Sequence, residues 1–521
     1  MKKTVKKQIP LGQRLCAVYC ALLGVMLPLT VHDAYFDITR TKATVFWVLS
    51  ALFVFAAVLW LCLDGNGRRS LAPFSAADGL WLVFIGCHLL SSLLFRPASA
   101  FLAPDNRFQG ILSFALYGAV FLLLRRCGSL SAPVRYGLGL GFSLATLLAV
   151  CELFGGDLIG LRAVSPEIER PRFFSTVGNI SFLSALSVLF LALAATLAIG
   201  ARQRGTRALW ASVALLALCG GMTARTEGFV LGALGYFLLL PLFCREEDLL
   251  RHVPLLWAVA SAAALAFSLA MKRWALYPMS ALGERLCSPV LLLGVSAVGA
   301  ALFVSLRRRS EGGLIRLRRI YALALGALAV LGLVFLFLAN TLWRERLPAA
   351  LASVAVFSPS WGSDRGAEWI SFWQMFRASS PLQKLIGSGA GSLAEWDRTH
   401  RLFSDAVTDS AHNEYLHYLL TGGLIGLCAY LSLLFLALRS AFKRPSPTRT
   451  AMSAATAAYA LQAAVNIAQP FSTPLFFLLP AMLLSDDGER EEQHSENELI
   501  LRVFLTALAL VLLVAAAAGA K

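Results

Sequence analysis

Residues 177–200, "VGNISFLSALSVLFLALAATLAIG", pass without a single charged side chain. About 20 apolar residues wound as a helix span a hydrocarbon layer about 30 Å thick. In lipid, only a helix or a closed barrel can satisfy its own backbone N–H and C=O groups. The stretch therefore predicts a membrane-spanning helix. Runs of the same kind recur near residues 14–31, 43–63, 78–95, 108–124, 136–154, 208–223, 227–244, 253–270, 288–306, 320–340, 412–438, 450–468, 471–485 and 499–520. The fold class expected from them is an all-α polytopic membrane protein with about 12–15 transmembrane helices and one long extracytoplasmic loop.

Composition agrees. The 521 residues are 58% hydrophobic and only 15% charged, with a mean hydropathy of +0.69, whereas a soluble domain carries about 25% charged residues. A net charge of +16 would suggest nucleic acid in a soluble chain. Here Lys and Arg sit in short loops such as "GNGRRS", "RRCGSLSAPVR", "ARQRGTR", "RRRSEGGLIRLRR" and "RSAFKRPSPTRT", which alternate along the span map as cytoplasmic loops should. They set topology, with the N-terminus cytoplasmic and no nucleic-acid partner expected. The opening residues, basic and then apolar, read as an uncleaved first span. Most of the ten cysteines lie inside apolar runs and none forms a CxxC pair, so they read as small core residues.

The alternation divides the chain into residues 1–340 with about 11 spans, 341–411 as the long outside loop, and 412–521 with about 4 further spans. Within the loop, "SDRGAEWISFWQMFRASSPL" offers Ser363 and Asp364 as helix caps and sets Trp369, Phe372, Trp373 and Phe376 along one helical stripe. That pattern fits a helix lying on the membrane or one packed on the bundle. "LIGSGAGSL" lacks the spacing of a dinucleotide site and reads as a flexible connection. The acidic "SDDGEREEQHSENE" reads as a solvated linker.

Arginines at outer helix ends run against the positive-inside bias: Arg107, Arg162, Arg170, Arg172, Arg225, Arg365 and Arg377. Each alone can be a snorkelling anchor or an ion pair, Arg225 with Glu227 for example. As a set they suit a diphosphate at headgroup level, whose oxygens match guanidinium forks. In "TDSAHNEYLHYLLTGG", Asp409 or Ser410 can cap a helix and put His412 in its first turn. The local field there favours a neutral imidazole able to accept a proton. Glu414 is a rival base. His417, five residues on, does not share the face of His412, so a zinc pair is not expected. Glu167 and Glu169 could imitate a metal-binding acidic pair but are followed by Arg170 and Arg172, their more natural partners. No metal and no cofactor are expected.

These residues resemble the O-antigen ligase and polymerase superfamily. "AHNEYLHYLLTGGLIGLCAYL" is similar to its histidine-asparagine, leucine, G-x-x-G-[LI] signature through His412, Asn413, Leu416, Gly423, Gly426 and Leu427. "RFFSTVGNISFLSALSVL" is similar to its arginine-led G-[TS]-x-G-N-x-N segment, which brings in Arg172 and Asn179. "MTARTEGFVLGAL" is similar to its S-R-G-x segment, and residues 363–393 to its S-G-R-x-x-x-W…P-L-x-G-x-G pattern. The resemblance covers roughly residues 100–485, with Thr223, Ala224 and Thr226 around Arg225 and the pair Ile180-Ser181 as departures.

The resemblance implies a GT-C-like glycosyltransferase of the cytoplasmic membrane with an extracytoplasmic active site. Its donor would be an undecaprenyl-diphosphate-linked glycan, and its acceptor a hydroxyl on a glycan, lipid or protein, as in lipopolysaccharide assembly. Transfer would be inverting and metal-independent. It implies His412 at the acceptor hydroxyl and Arg225 and Arg365 at the diphosphate. Arg172, Arg107, Asn179, Asn413, Glu414 and Arg377 are expected to bind substrate. A repeat-unit polymerase using the same donor and a bicarbonate or solute transporter are the alternatives.

Overall fold

The computed structural model describes residues 10–63, 74–96, 100–362, 364–400 and 407–485. The expected last span, the acidic linker before it from residue 486 on, the basic residues 1–9, the loop at 65–70 and the cap candidate Ser363 lie outside the described residues.

The chain is an all-α polytopic membrane protein. Among the described residues, eleven long helices precede the long loop, besides two short turns at Leu161–Val164 and Ala281–Leu286: α1 Leu11–Leu29, α2 Ile38–Leu63, α3 Ala76–Phe95, α4 Ile111–Cys127, α5 Ala132–Leu153, α6 Ile180–Gly200, α7 Arg204–Ala224, α8 Glu227–Phe243, α9 Glu247–Trp274, α10 Pro289–Arg307 and α11 Glu311–Asn340. The loop carries α12 Arg365–Ala378, α13 Pro381–Ile386 and α14 Ser392–His400. The chain then returns through α15 Glu414–Lys443, α16 Pro447–Ala463 and α17 Ser472–Leu483. Every span expected between residues 14 and 485 coincides with one of these helices. Among the described residues, 10 helices are long and apolar enough to cross a membrane. The sheet among them is a two-residue antiparallel pair, β1 Phe173–Phe174 with β2 Gly178–Asn179.

The stretch at residues 177–200 supplies the axis of the bundle. The apolar window of α6 is 94% buried, against 22%, 11% and 6% for α9, α10 and α11, so α6 is surrounded by protein while those three face outward. Helices α7, α8 and α16 pack directly on α6. Small residues permit the close approach: a Cβ on Gly232 of α8 would lie 2.7 Å from Val188 Cγ1 of α6. Arg125 and Arg126, assigned by the sequence to a topology-setting loop, close α4 and turn back on Asp78. Arg125 Nε and Arg126 Nη1 lie 2.6 and 3.2 Å from Asp78 Oδ1.

The glycine-rich turn corrects an expectation. Residues 387–394 are buried rather than a free connection, and they are stitched to the bundle. Ser388 N and Gly389 N donate to the Leu420 and Thr421 carbonyls at 2.7 and 3.2 Å, and Ala390 N donates to Ser92 Oγ at 3.0 Å. Those carbonyls are available because α15 is broken: Gly423 has φ 72 and ψ −179, which kinks the helix and takes two acceptors out of its ladder. A side chain at Gly423 would meet Leu385 O at 2.3 Å, in a backbone region that only glycine occupies readily. Gly423→Ala is therefore expected to cost at least about 2 kcal/mol and lower the thermal midpoint of the detergent-solubilised protein. Gly86→Ala is the control: it sits inside α3 with nothing within 4 Å of the added Cβ, and should leave the midpoint unchanged or raise it.

The aromatic stripe of α12 divides between two environments. Phe372 and Met375 are buried with Leu393, Ala411 and Leu420, while Trp373 is 50% exposed and stacks on Phe376. The helix is thus packed on the bundle by one side and open on the other.

Candidate active site

His412 is the residue where the loop meets α15, but it does not occupy the helix's first turn. Asn413 is the N-cap, its side chain accepting from Leu416 N at 3.0 Å. His412 precedes it in the left-handed region at φ 44. That conformation is costly for a residue with a Cβ and persists only where neighbours over-determine it. Three contacts do so. Trp369 Nε1 donates to the Ala411 carbonyl at 2.8 Å, His412 N donates to Ser410 Oγ at 3.4 Å, and His412 Nδ1 lies 2.9 Å from Glu368 Oε2. The polar environment of the imidazole is therefore set by a carboxylate on α12, not by the end of α15.

Because a carboxylate can only accept, Nδ1 carries the ring proton in this contact. Nε2 has no hydrogen-bond partner among the described residues. The side chain is 30% exposed, and that of Glu368 11%. The ring is thus gripped on one nitrogen and open on the other. Glu368 and Trp369 are consecutive on α12, so one helical turn holds both the backbone before His412 and its ring.

The start of α12 is fixed closely enough for that grip. Gly362 and Asp364 take φ 63 and 69. A Cβ on Gly366 would fall 1.9 Å from Ser358 O, and Ala367 N donates to Pro359 O at 2.8 Å. Arg365 opens the helix, its Nη1 bonded to the Gly362 carbonyl at 2.8 Å. Its Nε is buried without a partner, and no carboxylate neutralises it among the described residues.

Arg225 sits between α7 and α8 at φ 55, where it closes α7. Its guanidinium donates to the Pro171 carbonyl and lies over Tyr277 and Phe174, 5.0 and 5.7 Å from the ring centroids. The ion pair with Glu227 open to it from sequence is not formed, and Nε is buried without a partner. Burial pushes its pKa below the ordinary guanidinium value, with Tyr277 opposing. Beside it lies a cavity of about 430 Å³ between α7, α8, α9 and α10, lined by apolar side chains including Phe229, Phe237, Trp257 and Leu291. Arg225 is its one charged lining residue among those described.

Other expected site residues have other partners. Arg107 forms a two-pronged ion pair with Asp409, Nε and Nη2 at 2.9 and 2.7 Å from Oδ1. Its fork is therefore engaged by the loop and not open to a diphosphate. With Arg96–Glu395 and Arg398–Asp105, it ties Arg96, Asp105 and Arg107 to α14 and to Asp409, three residues before His412. Asn179 caps α6 by accepting from Ser181 N at 2.8 Å, so like Asn413 its side-chain oxygen serves a helix end. Glu414 is buried beneath tyrosines: Tyr430 Oη donates to Oε1 at 2.9 Å and Tyr459 Oη to Oε2 at 3.4 Å. It does not present a free base beside His412. Arg172 and Arg377 are exposed. Glu167 pairs with Arg170 at 3.7 Å, as its spacing suggested. His417 is buried, its Nδ1 unpartnered, edge-on to Tyr418.

Sequence reasoning missed Glu368 and the Tyr277–Phe174 collar, and it read Asp409 as a helix cap where the structure makes it the partner of Arg107. Glu368 left one local signal, an acid in the first turn of the helix that Arg365 opens. Asp409 and Arg107 are 302 residues apart, and no spacing could join them.

The family model for O-antigen ligase matches residues 288–431. The match takes in α10, α11, the whole loop with Arg365, Glu368 and His412, and α15 past its kink, but not Arg225. No curated protein matches the chain.

Proposed function

We propose that this membrane protein, similar over residues 288–431 to the O-antigen ligase family, is a glycan-transferring enzyme that takes its glycan from an undecaprenyl-diphosphate carrier and joins it to a hydroxyl acceptor on the extracytoplasmic face of the cytoplasmic membrane. The observation that carries the proposal is a held imidazole together with two guanidinium groups, each on its own element, that no described carboxylate neutralises. His412 has Nδ1 on Glu368 and Nε2 free, while Arg225 and Arg365 have no carboxylate partner among the described residues.

In the proposed step, the acceptor oxygen attacks the anomeric carbon while its proton passes to His412 Nε2. The bond from that carbon to the phosphate oxygen breaks, and its electron pair leaves on the diphosphate. Arg225 and Arg365 meet the charge that develops there. Fixed cations arranged for phosphate oxygens can supply the stabilisation a divalent ion would otherwise give. A single displacement of this kind inverts the anomeric centre. The apolar cavity beside Arg225 suits the isoprenoid tail, which would place the diphosphate next to the guanidinium.

The test is reconstitution. Membranes of a deletion strain should accumulate the undecaprenyl-diphosphate-linked glycan. Purified protein in liposomes with that extract and host acceptor should release free undecaprenyl diphosphate as the glycan moves. A single-sized product marks a ligase, and a ladder of repeats marks a polymerase. Uptake of bicarbonate by the same liposomes, with no release of the carrier, would refute glycan transfer.

A further inference from the structure

We infer that Glu368 is a positioning residue for His412, fixing which ring nitrogen is free to take the acceptor's proton. The inference rests on the proposed role of His412 as base. A neutral imidazole has two tautomers, and only the one protonated on Nδ1 leaves Nε2 able to accept. Glu368 Oε2 lies 2.9 Å from Nδ1 and accepts only, so it selects that tautomer and blocks ring rotation. When Nε2 takes the acceptor's proton, the ring becomes a cation, and the adjacent carboxylate stabilises it without itself being protonated.

The surroundings are built for this contact. Glu368 is buried, and His412 is its hydrogen-bonding partner across the loop. The next residue, Trp369, bonds the Ala411 carbonyl, so the backbone entering His412 and the ring itself are referred to the same helical turn. The close seat of Gly366 on Ser358 fixes where that turn lies. A carboxylate placed only to stabilise a helix start would not need to reach an imidazole that takes left-handed backbone at φ 44.

The test uses the full chain in liposomes with undecaprenyl-diphosphate-linked glycan extracted from a deletion strain. Glu368→Gln keeps the shape but can donate as well as accept, so it no longer dictates the tautomer. The expected result is a kcat lowered about 100-fold or more, with KM for the donor within about threefold and the thermal midpoint nearly unchanged. A purely structural role would move KM and the midpoint instead. Histidine-selective 15N NMR of the wild-type protein, about two pH units above the ordinary imidazole pKa, should give a His412 signal protonated on Nδ1. That signal is assigned by its loss in His412→Gln. This measurement keeps the inference falsifiable should Glu368→Gln fail to fold, because a proton on Nε2 in the wild type overturns it outright. Wild-type kcat in Glu368→Gln also overturns it. Wild-type transfer by His412→Ala would instead remove the base assignment beneath it, so the two failures are told apart.

Discussion

His412→Ala lowers glycan transfer about 10³-fold while leaving the carrier lipid bound: that is the expected result for the base at the head of α15. A positioned general base contributes about 10²–10⁴-fold, and neither neighbouring carboxylate among the described residues is placed to replace it. Glu414, two residues on, is enclosed by Tyr430 and Tyr459, and Glu368 already faces the ring it would have to succeed. Among the described residues the imidazole makes one side-chain hydrogen bond, to Glu368. Losing it leaves one carboxylate without its partner, at a cost of about 1–3 kcal/mol. A modest fall in thermal midpoint should therefore accompany a large fall in rate, measured as carrier release from liposomes and as glycan restored to a deletion strain. Binding of undecaprenyl diphosphate should persist, because the cations assigned to it are elsewhere. Transfer at the wild-type rate would end the mechanism proposed here.

The fold was legible because lipid makes helix the simplest solution for each long apolar run, and so every expected span within the described residues is a helix. What the runs do not encode is which helix lies at the centre: α6 and α11 are both long and apolar, yet one is 94% and the other 6% buried in its apolar window. Exposure to lipid and exposure to protein select the same side chains, and only the contacts separate them. The kink at Gly423 was hidden for a related reason. The sequence offers glycine as a small packing residue, and the structure uses one for a backbone angle and its neighbour Gly422 for space against the His88 ring. Among the candidate site residues, His412, Arg225 and Arg365 could be picked out because charge or imidazole at the end of an apolar helix is unusual. Arg107, Asn179 and Asn413 belong to the same neighbourhoods but serve the scaffold, as an ion pair and two helix caps. A side chain's neighbourhood is readable from sequence, whereas its partner depends on chain segments hundreds of residues away.

Arg225→Ala should separate function from stability in the opposite sense to most substitutions. The guanidinium is partly buried with no carboxylate beside it among the described residues, and its support is the Pro171 carbonyl and two aromatic faces. A cation removed from water without a partner is a cost to the folded state, so deleting it should leave the thermal midpoint unchanged or raise it. Transfer should fall about 10²–10³-fold, the range for losing one donor aimed at developing negative charge. Binding of undecaprenyl diphosphate should weaken at the same time, since the cavity beside Arg225 would keep its apolar lining but lose its one charged residue. Arg225→Lys should recover only part of the rate: an ammonium supplies charge but not a planar fork that can bond Pro171 and a phosphate oxygen together. Transfer assays, carrier-binding isotherms and melting curves on the three proteins decide it. A midpoint that drops in step with activity would mean that Arg225 holds the α7–α8 turn together and does not serve the diphosphate. A raised or constant midpoint with both rate and binding lost would identify a cation kept in an unfavourable place for what it binds.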